Sequence, residues 1–255
     1  MPLELVTIPC LQDNYAYLLH ARGTNRAALV DAPEVGPILK ELLKREWLLS
    51  DIFLTHHHDD HIQAVAELRE VTGAKVCGAE ADRHRLPRLD WSLEQGDLVE
   101  VARESGRVID VPGHTRGHIA LHFPGSNLAF TGDSLMSGGC GRLFEGTPAE
   151  MFASLQKLAA LPPETVICSG HEYTASNLRF AATIEPENPA LQARIAACTA
   201  ARAEGKATVP VLLSEELATN PYLRCHLPQV KAAVGLPDAS ELEVFTEIRA
   251  RKDRF

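Results

Sequence analysis

The sequence predicts an α+β chain, strand-rich from residue 1 to about 172 and mostly helical from 173 to 255. Two textures carry that prediction. Up to about residue 170, short runs rich in β-branched and aromatic residues alternate with glycine, proline and aspartate. Beyond about 172 that signal fades, and apolar residues recur at helical spacing.

"LELVTIP" (3–9), "YAYLLHA" (15–21) and "RAALVD" (26–31) read as strands, the third reached through the turn signal "GTN". "VGPILKELLKRE" (35–46) has helical period, and "SDIFLT" (50–55) reads as a buried strand. "HIQAVAELREVTG" (61–73) is predicted to be one helix closed by glycine. Strands are expected again at 74–78, 107–112, 118–123, 127–132 and 165–170. A helix over 147–161 opens on a capping box: Thr147 at the N-cap, Pro148 in the first turn, and Glu150 reaching back. In the last third, "TASNLRFAATI", "PALQARIAACTAARAEG", "SEELATN" and "SELEVFTEIRARKD" read as helices, the last with a capping box of Ser240 and Glu243.

The chain has 255 residues, 45% of them hydrophobic, enough for a large core; 23% are charged, which excludes a largely disordered chain. The net charge of −9 disfavours a nucleic-acid coat and means that an anionic ligand needs a local cationic patch. "MPLELVTIPC" has neither a basic start nor a long apolar run, so no signal peptide and no membrane span are expected. Six scattered cysteines without a CxxC pair fit reduced thiols in a cytoplasmic protein.

"FLTHHHDDHI" (53–62) concentrates imidazoles and carboxylates where a strand gives way to a loop. From an extended loop His56 and His58 face one side, Asp60 and His61 follow at the start of a helix, and His57 and Asp59 point elsewhere. Such a run also suits a solvated loop, but three more strand ends repeat the theme. "DVPGHTRGH" offers His114, "LAFTGDS" offers Asp133, and "VICSGHEY" offers His171. His56, His58, Asp60, His61, His114, Asp133 and His171 are too many for one tetrahedral zinc. They suit two divalent metal ions, about 3.5–4 Å apart, sharing a carboxylate. Imidazole and carboxylate without thiolate suit zinc, with iron or manganese as alternatives.

These motifs resemble those of the metallo-β-lactamase superfamily: "THHHDDH" is similar to its T-H-x-H-x-D-H signature, and "GHTRGH", "FTGDSL" and "SGHEYT" to its later ligand motifs. "IPCLQDNYAYLL", "GGCGRLFEGT", "NLRFA…EPENPAL" and the final "RARKDRF" resemble the glyoxalase II (hydroxyacylglutathione hydrolase) family more specifically. The resemblance covers essentially the whole chain. It implies an αββα sandwich with a small C-terminal helical domain. It places His56, His58 and His114 on one metal and Asp60, His61 and His171 on the other, with Asp133 bridging. Asp31, ending "ALVDAPE", then supports the ligand loops without being a ligand.

The resemblance also implies the substrate. Glutathione contacts fall on Arg142, Phe144, Tyr173, Arg249 and Lys252, three of them cations suited to a carboxylate-bearing peptide. Phe144 stands where some members carry tyrosine, and Arg142 where some carry lysine. The implied reaction is hydrolysis of S-D-lactoylglutathione and related 2-hydroxyacyl thioesters by a metal-bridging hydroxide, the second step of methylglyoxal detoxification. Asp60 and Asp133 are its expected catalytic carboxylates. The expected partner is this small molecule, with no nucleic acid and no membrane, and the protein a monomer. His118, His122, Cys140, Cys168 and Asn177 are read as packing or hydrogen-bonding locally, and His57 as orienting its loop. The rival within the superfamily is a one-iron glutathione persulfide dioxygenase.

Overall fold

Two six-stranded sheets lie face to face in the computed structural model, which describes residues 2–255. The first contains β1 (Glu4–Cys10), β2 (Asn14–His20), β3 (Arg26–Val30), β4 (Leu48–Phe53), β5 (Lys75–Ala79) and β6 (Trp91–Leu93) in that spatial order. Its first three strands are antiparallel; from β3 onward the pairing is parallel. Parallel neighbours need crossovers, and α1 (Val35–Arg45), the short α2 (Asp59–Ile62) and α3 (Val65–Thr72) lie on those connections. The second sheet contains β7 (Leu98–Val101), β8 (Glu104–Asp110), β9 (Ile119–Phe123) and β10 (Leu128–Gly132). The small hairpin of β11 (Leu135–Met136) and β12 (Gly139–Cys140) and the helix α4 (Pro148–Ala159) then precede β13 (Val166–Ser169). β13 pairs in parallel with β10 and antiparallel with β14 (Val211–Leu212).

Alternation along β2 divides the core. Tyr15, Tyr17 and Leu19 point between the sheets, where they meet Val108, Leu121, Phe123, Phe130 and Cys168. Ala16 and Leu18 point outward, against Ile38 and Leu42 of α1 and Val65 and Leu68 of α3. The outer face of the second sheet (Ile109, Ala120, Ala129, Ile167) is covered by Met151, Leu155 and Leu158 of α4. The same cluster takes in Phe180 and Ile184 of α5 (Thr174–Ile184). The order of layers is therefore αββα.

The remaining helices are α6 (Pro189–Ala203), α7 (Leu213–Thr219), α8 (Pro228–Ala233) and α9 (Glu241–Arg254). Val244, Phe245 and Ile248 of α9 join the cluster over α4, so the helical segment shares a core with the sandwich. Both expected capping boxes form, at Thr147–Glu150 and Ser240–Glu243. All six cysteines are buried and unpaired. Among the described residues no helix is long and apolar enough to cross a membrane.

One expected helix is broken. Residues 61–73 form the end of α2 and, after a gap, α3. The cause is backbone pairing to another loop: the His61 carbonyl accepts from Ala32 N–H at 2.7 Å, and Ala64 N–H donates to the Ala32 carbonyl at 3.0 Å. Those two bonds take groups that a continuous helical ladder would use.

Candidate metal centre and substrate cleft

Ligand-type side chains gather where strands of both sheets end. His56 and His58 follow β4, with Asp60 and His61 on α2; His114 follows β8, Asp133 follows β10, and His171 follows β13. Ligand atoms of His56, His58 and His114 form one compact set, and those of Asp60, His61 and His171 another. His58 Nδ1 lies 3.1 Å from His56 Nε2 and 3.0 Å from His114 Nε2. In the second set, His61 Nε2 and His171 Nε2 are 3.3 Å apart. The Asp133 carboxylate stands between them: Oδ2 is 3.4 Å from His114 Nε2 and 3.2 Å from His171 Nε2, and Oδ1 is 3.5 Å from His61 Nε2.

Backbone shape aims these groups. β10 carries a register irregularity between Phe130 and Gly132, immediately before Asp133. Gly132 has φ +46°, and a Cβ there would sit 2.6 Å from Thr55 Oγ1. At Gly170 a Cβ would lie 2.4 Å from Asp133 Oδ1, so His171 reaches the cluster only past a residue without a side chain.

Outer partners fix the rings. Asp31 is buried; its Oδ1 accepts from Thr55 N–H and its Oδ2 accepts from the Thr55 hydroxyl, both at 2.8 Å. Oδ2 also lies 2.8 Å from His61 Nδ1. A carboxylate only accepts, so His61 Nδ1–H donates and Nε2 is left free to face the cluster. His114 Nδ1 donates to the Arg142 carbonyl at 2.8 Å. His57 turns the other way, with Nδ1 2.8 Å from Asp82 Oδ2. His118 stacks on His56 and accepts from Asp133 N–H at 3.0 Å. Asp13 and Asn14, which the sequence reading left between strands, also reach the cluster.

The donor set fits divalent metal ions. Six facing imidazole and carboxylate groups around Asp133, with Asp133 Oδ1 buried and without a hydrogen-bond partner, make a cradle that cations would complete. Burial by itself would raise the Asp133 carboxyl, but the facing His171 and His61 override it and hold the group well below the usual carboxylate range. Burial depresses His56, which stays neutral and able to ligate. At His171 burial is outweighed by Asp133, and the imidazolium is held up to about 9. A metal ion therefore displaces a proton there.

A cleft of about 440 Å³ runs from this cluster across the mouth of the sandwich. His58, Asp60, His114, Asp133 and His171 line one end. Arg142, Phe144, Tyr173, Arg249 and Lys252 line the rest, together with Met136, Cys140 and Asn177. Phe144 is exposed and packs edge-on against His58 and His114, with ring centroids 5.6 and 5.2 Å away. Tyr173 stacks on His171 at 4.6 Å. Lys252 Nζ lies over the rings of Phe180 and Phe255 and donates to the Ser176 carbonyl at 3.3 Å. Arg249 is more committed than the sequence suggested: it is buried, donating to the Cys140 carbonyl at 3.0 Å and to Asp253 at 2.8 Å. Cys140 and Asn177, read from sequence as packing or hydrogen-bonding locally, both also line the cleft, and Asn177 Nδ2 makes such a bond to the Ser137 carbonyl at 3.0 Å.

Comparison with known proteins adds the family. Residues 13–171 match the model of the metallo-beta-lactamase superfamily, and residues 172–255 match that of the hydroxyacylglutathione hydrolase C-terminus. Hydroxyacylglutathione hydrolases of Fuscovulum blasticum and Cereibacter sphaeroides are 66% and 64% identical to it, with all of each chain covered. The chain belongs to the hydroxyacylglutathione hydrolase family. The fold agrees with that placing. ETHE1 from Myxococcus xanthus superposes with a TM-score of 0.67 at 25% identity, covering 98% of this chain and 90% of that one. TTHA1623, solved in a di-iron-bound form, superposes with a TM-score of 0.55 at 31% identity over 66% of this chain and 91% of its own. Membership in this family makes the protein a hydrolase, and the His/Asp cluster fits the divalent metal ions of its superfamily.

Proposed function

We infer that the protein hydrolyses S-(2-hydroxyacyl)glutathione thioesters, S-D-lactoylglutathione among them, to a 2-hydroxy acid and glutathione. One observation carries the reading: a single cleft has a metal-ligand cluster at one end and cationic side chains at the other. A glutathione thioester has the matching polarity, with a reactive carbonyl at one end and peptide carboxylates at the other. His56, His58 and His114 would hold one ion and Asp60, His61 and His171 a second, with Asp133 shared. Zinc is the proposed metal, since five imidazoles with two carboxylates suit it. Bound there, the ions supply Lewis acidity toward the thioester carbonyl and water acidified toward neutrality.

The chain's own groups supply placement and charge. Asp60 is half exposed on the cleft; burial would raise its carboxyl, but His61 and the Asn14 hydrogen bond hold it low. It is therefore an anion able to accept a hydrogen bond from, and so orient, the attacking water. Phe144, edge-on to His58 and His114, would contact the glutathione arm where it nears the metal end. Arg142 and Lys252 would take the carboxylates of the glutathione arm, with Tyr173 against the peptide and Arg249 holding the wall and Asp253. Their binding energy is converted into orientation of the carbonyl. The leaving group is a thiolate of ordinary thiol acidity, so the step needs no dedicated general acid. Residues 1–172 would carry the chemistry and 173–255 the recognition of the arm. We propose that the protein acts in the cytoplasm as a monomer, with no nucleic acid or membrane partner.

The test is turnover of S-lactoylglutathione with metal analysis of the same sample. Two ions per chain with hydrolysis are expected. Fully metallated protein that leaves the thioester intact, or that takes up oxygen with a glutathione persulfide instead, overturns the reading.

A further inference from the structure

Asp13 closes the turn between β1 and β2 and Asn14 opens β2, and each meets a different member of one triad. Asp13 Oδ1 lies 3.0 Å from His171 Nδ1. Since a carboxylate only accepts, His171 Nδ1–H donates to it, and Nε2 faces Asp133 and Asp60 at 3.2 and 3.4 Å. Asn14 Nδ2 donates to Asp60 Oδ2 at 2.9 Å and to the Asp60 carbonyl at 3.1 Å, fixing both ends of that residue. Backbone bonds hold the turn in place: Tyr15 N–H donates to the Gly170 carbonyl and Glu172 N–H to the Asp13 carbonyl, both at 2.8 Å.

The other triad is backed differently. His56 Nδ1 meets the Thr55 hydroxyl at 3.0 Å, and His114 Nδ1 the Arg142 carbonyl at 2.8 Å. Its outer partners are neutral. Those of Asp60, His61 and His171 are an amide and two carboxylates, Asn14, Asp31 and Asp13. A carboxylate behind an imidazole fixes the ring and raises its basicity as a ligand.

We propose that Asp13 and Asn14 are positioning residues that set the metal affinity of the Asp60–His61–His171 triad, while the His56–His58–His114 triad holds its ion independently of them. The proposal rests on the two-metal reading above. It assigns a job to a turn that contributes no ligand, and it makes the two ions separable by substitutions outside the ligand set.

The experiment is zinc retention by the purified holoenzyme dialysed against graded chelator, with folding followed by circular dichroism. Wild type should carry two ions. Asp13→Asn and Asn14→Ala should each lose one ion at chelator concentrations about 10–100-fold lower, the size typical for removing an outer partner of a metal ligand. The remaining ion should be held as in wild type. If Asn14→Ala fails to fold, Asn14→Asp keeps the shape, removes the donated hydrogen bond and serves instead. Location is fixed by double variants. Asp13→Asn should add nothing to the loss caused by His171→Ala, and should add in full to that caused by His58→Ala. Unchanged retention, equal loosening of both ions, or additivity with His171→Ala overturns the proposal. Wild type that never holds more than one ion overturns the two-metal reading itself, visible before any variant is made.

Discussion

The two ends of the cleft are built in opposite ways. At the metal end, loops from both sheets converge, His56 and His61 are fully buried, and ring after ring is held from behind by Asp31, Thr55 or a backbone carbonyl. At the recognition end Arg142 and Phe144 are exposed, and the nearest anion to the Arg142 guanidinium is Asp253, 3.7 Å away. The difference teaches where rigidity is needed. Groups that meet reacting atoms must be held before the substrate arrives. Groups that grip a flexible peptide arm can close on it afterwards, with a loss of side-chain entropy.

Substitutions should separate the two ends. The largest effect belongs to the shared carboxylate. Asp133→Ala should lower kcat/KM by at least about a thousandfold and bring the metal count below two, measured by steady-state kinetics and metal analysis. Normal turnover with both ions present would remove Asp133 from the centre.

Next comes the support behind the β11–β12 hairpin. Glu216 is fully buried, accepts from Gly138 N–H at 3.0 Å and from Asn220 at 2.8 Å, and is ion-paired with buried Arg194. Glu216→Ala leaves that guanidinium with Glu215, 3.3 Å away, as its remaining anion and takes the acceptor from Gly138 N–H and Asn220, and the expected loss is about 3 kcal/mol in denaturant unfolding, the low end for breaking a buried pair. A smaller loss would mean that the wall of the recognition end is as yielding as its surface.

Lys252→Ala should raise KM about tenfold or more, the worth of a hydrogen bond to a charged group, with kcat nearly unchanged. Burial, with Arg249 close by, lowers the Lys252 ammonium to about 8. Raising the pH through 8 removes its charge, so KM should climb there. Lys252→Arg should keep KM flat over that range, and the pH profile of KM checks both. The smallest effect is expected at Phe144. Phe144→Tyr restores a hydroxyl at an exposed edge and should lower KM by about two- to tenfold. A larger change would make the recognition end more pre-ordered than its exposure suggests.

The ligands were legible because each lies just past an apolar strand, four of them in the single run "THHHDDH" and three directly behind a glycine, a pattern with a physical reason. The two textures likewise read as sandwich and helices. What escaped were features set by other parts of the chain. Asp13 and Asn14 fall between the strands expected at 3–9 and 15–21, where Asp and Asn carry only a local turn preference; their other task depends on Asp60 and His171, 46 and 158 residues further on. β11, β12 and β14 have two residues each, too few for any period to show. The break after α2 has no local signal, since Ala32 imposes it from another loop. Arg249 had the right charge and the right helix, but its burial depends on the Cys140 carbonyl 109 residues away.

The burial of all six cysteines has a chemical consequence for a protein whose product is a thiol. Burial pushes the thiols of Cys10, Cys77 and Cys225 up to about 12 and raises Cys140 and Cys168 as well. Exchange with a disulfide requires a thiolate that can be reached, and these groups offer neither the charge nor the access. Cys140 stands at the wall of the proposed glutathione cleft, yet it is buried and its sulfur faces Arg249 at 3.8 Å. The fold thus keeps its own sulfur chemically silent toward the thiol that its reaction sets free.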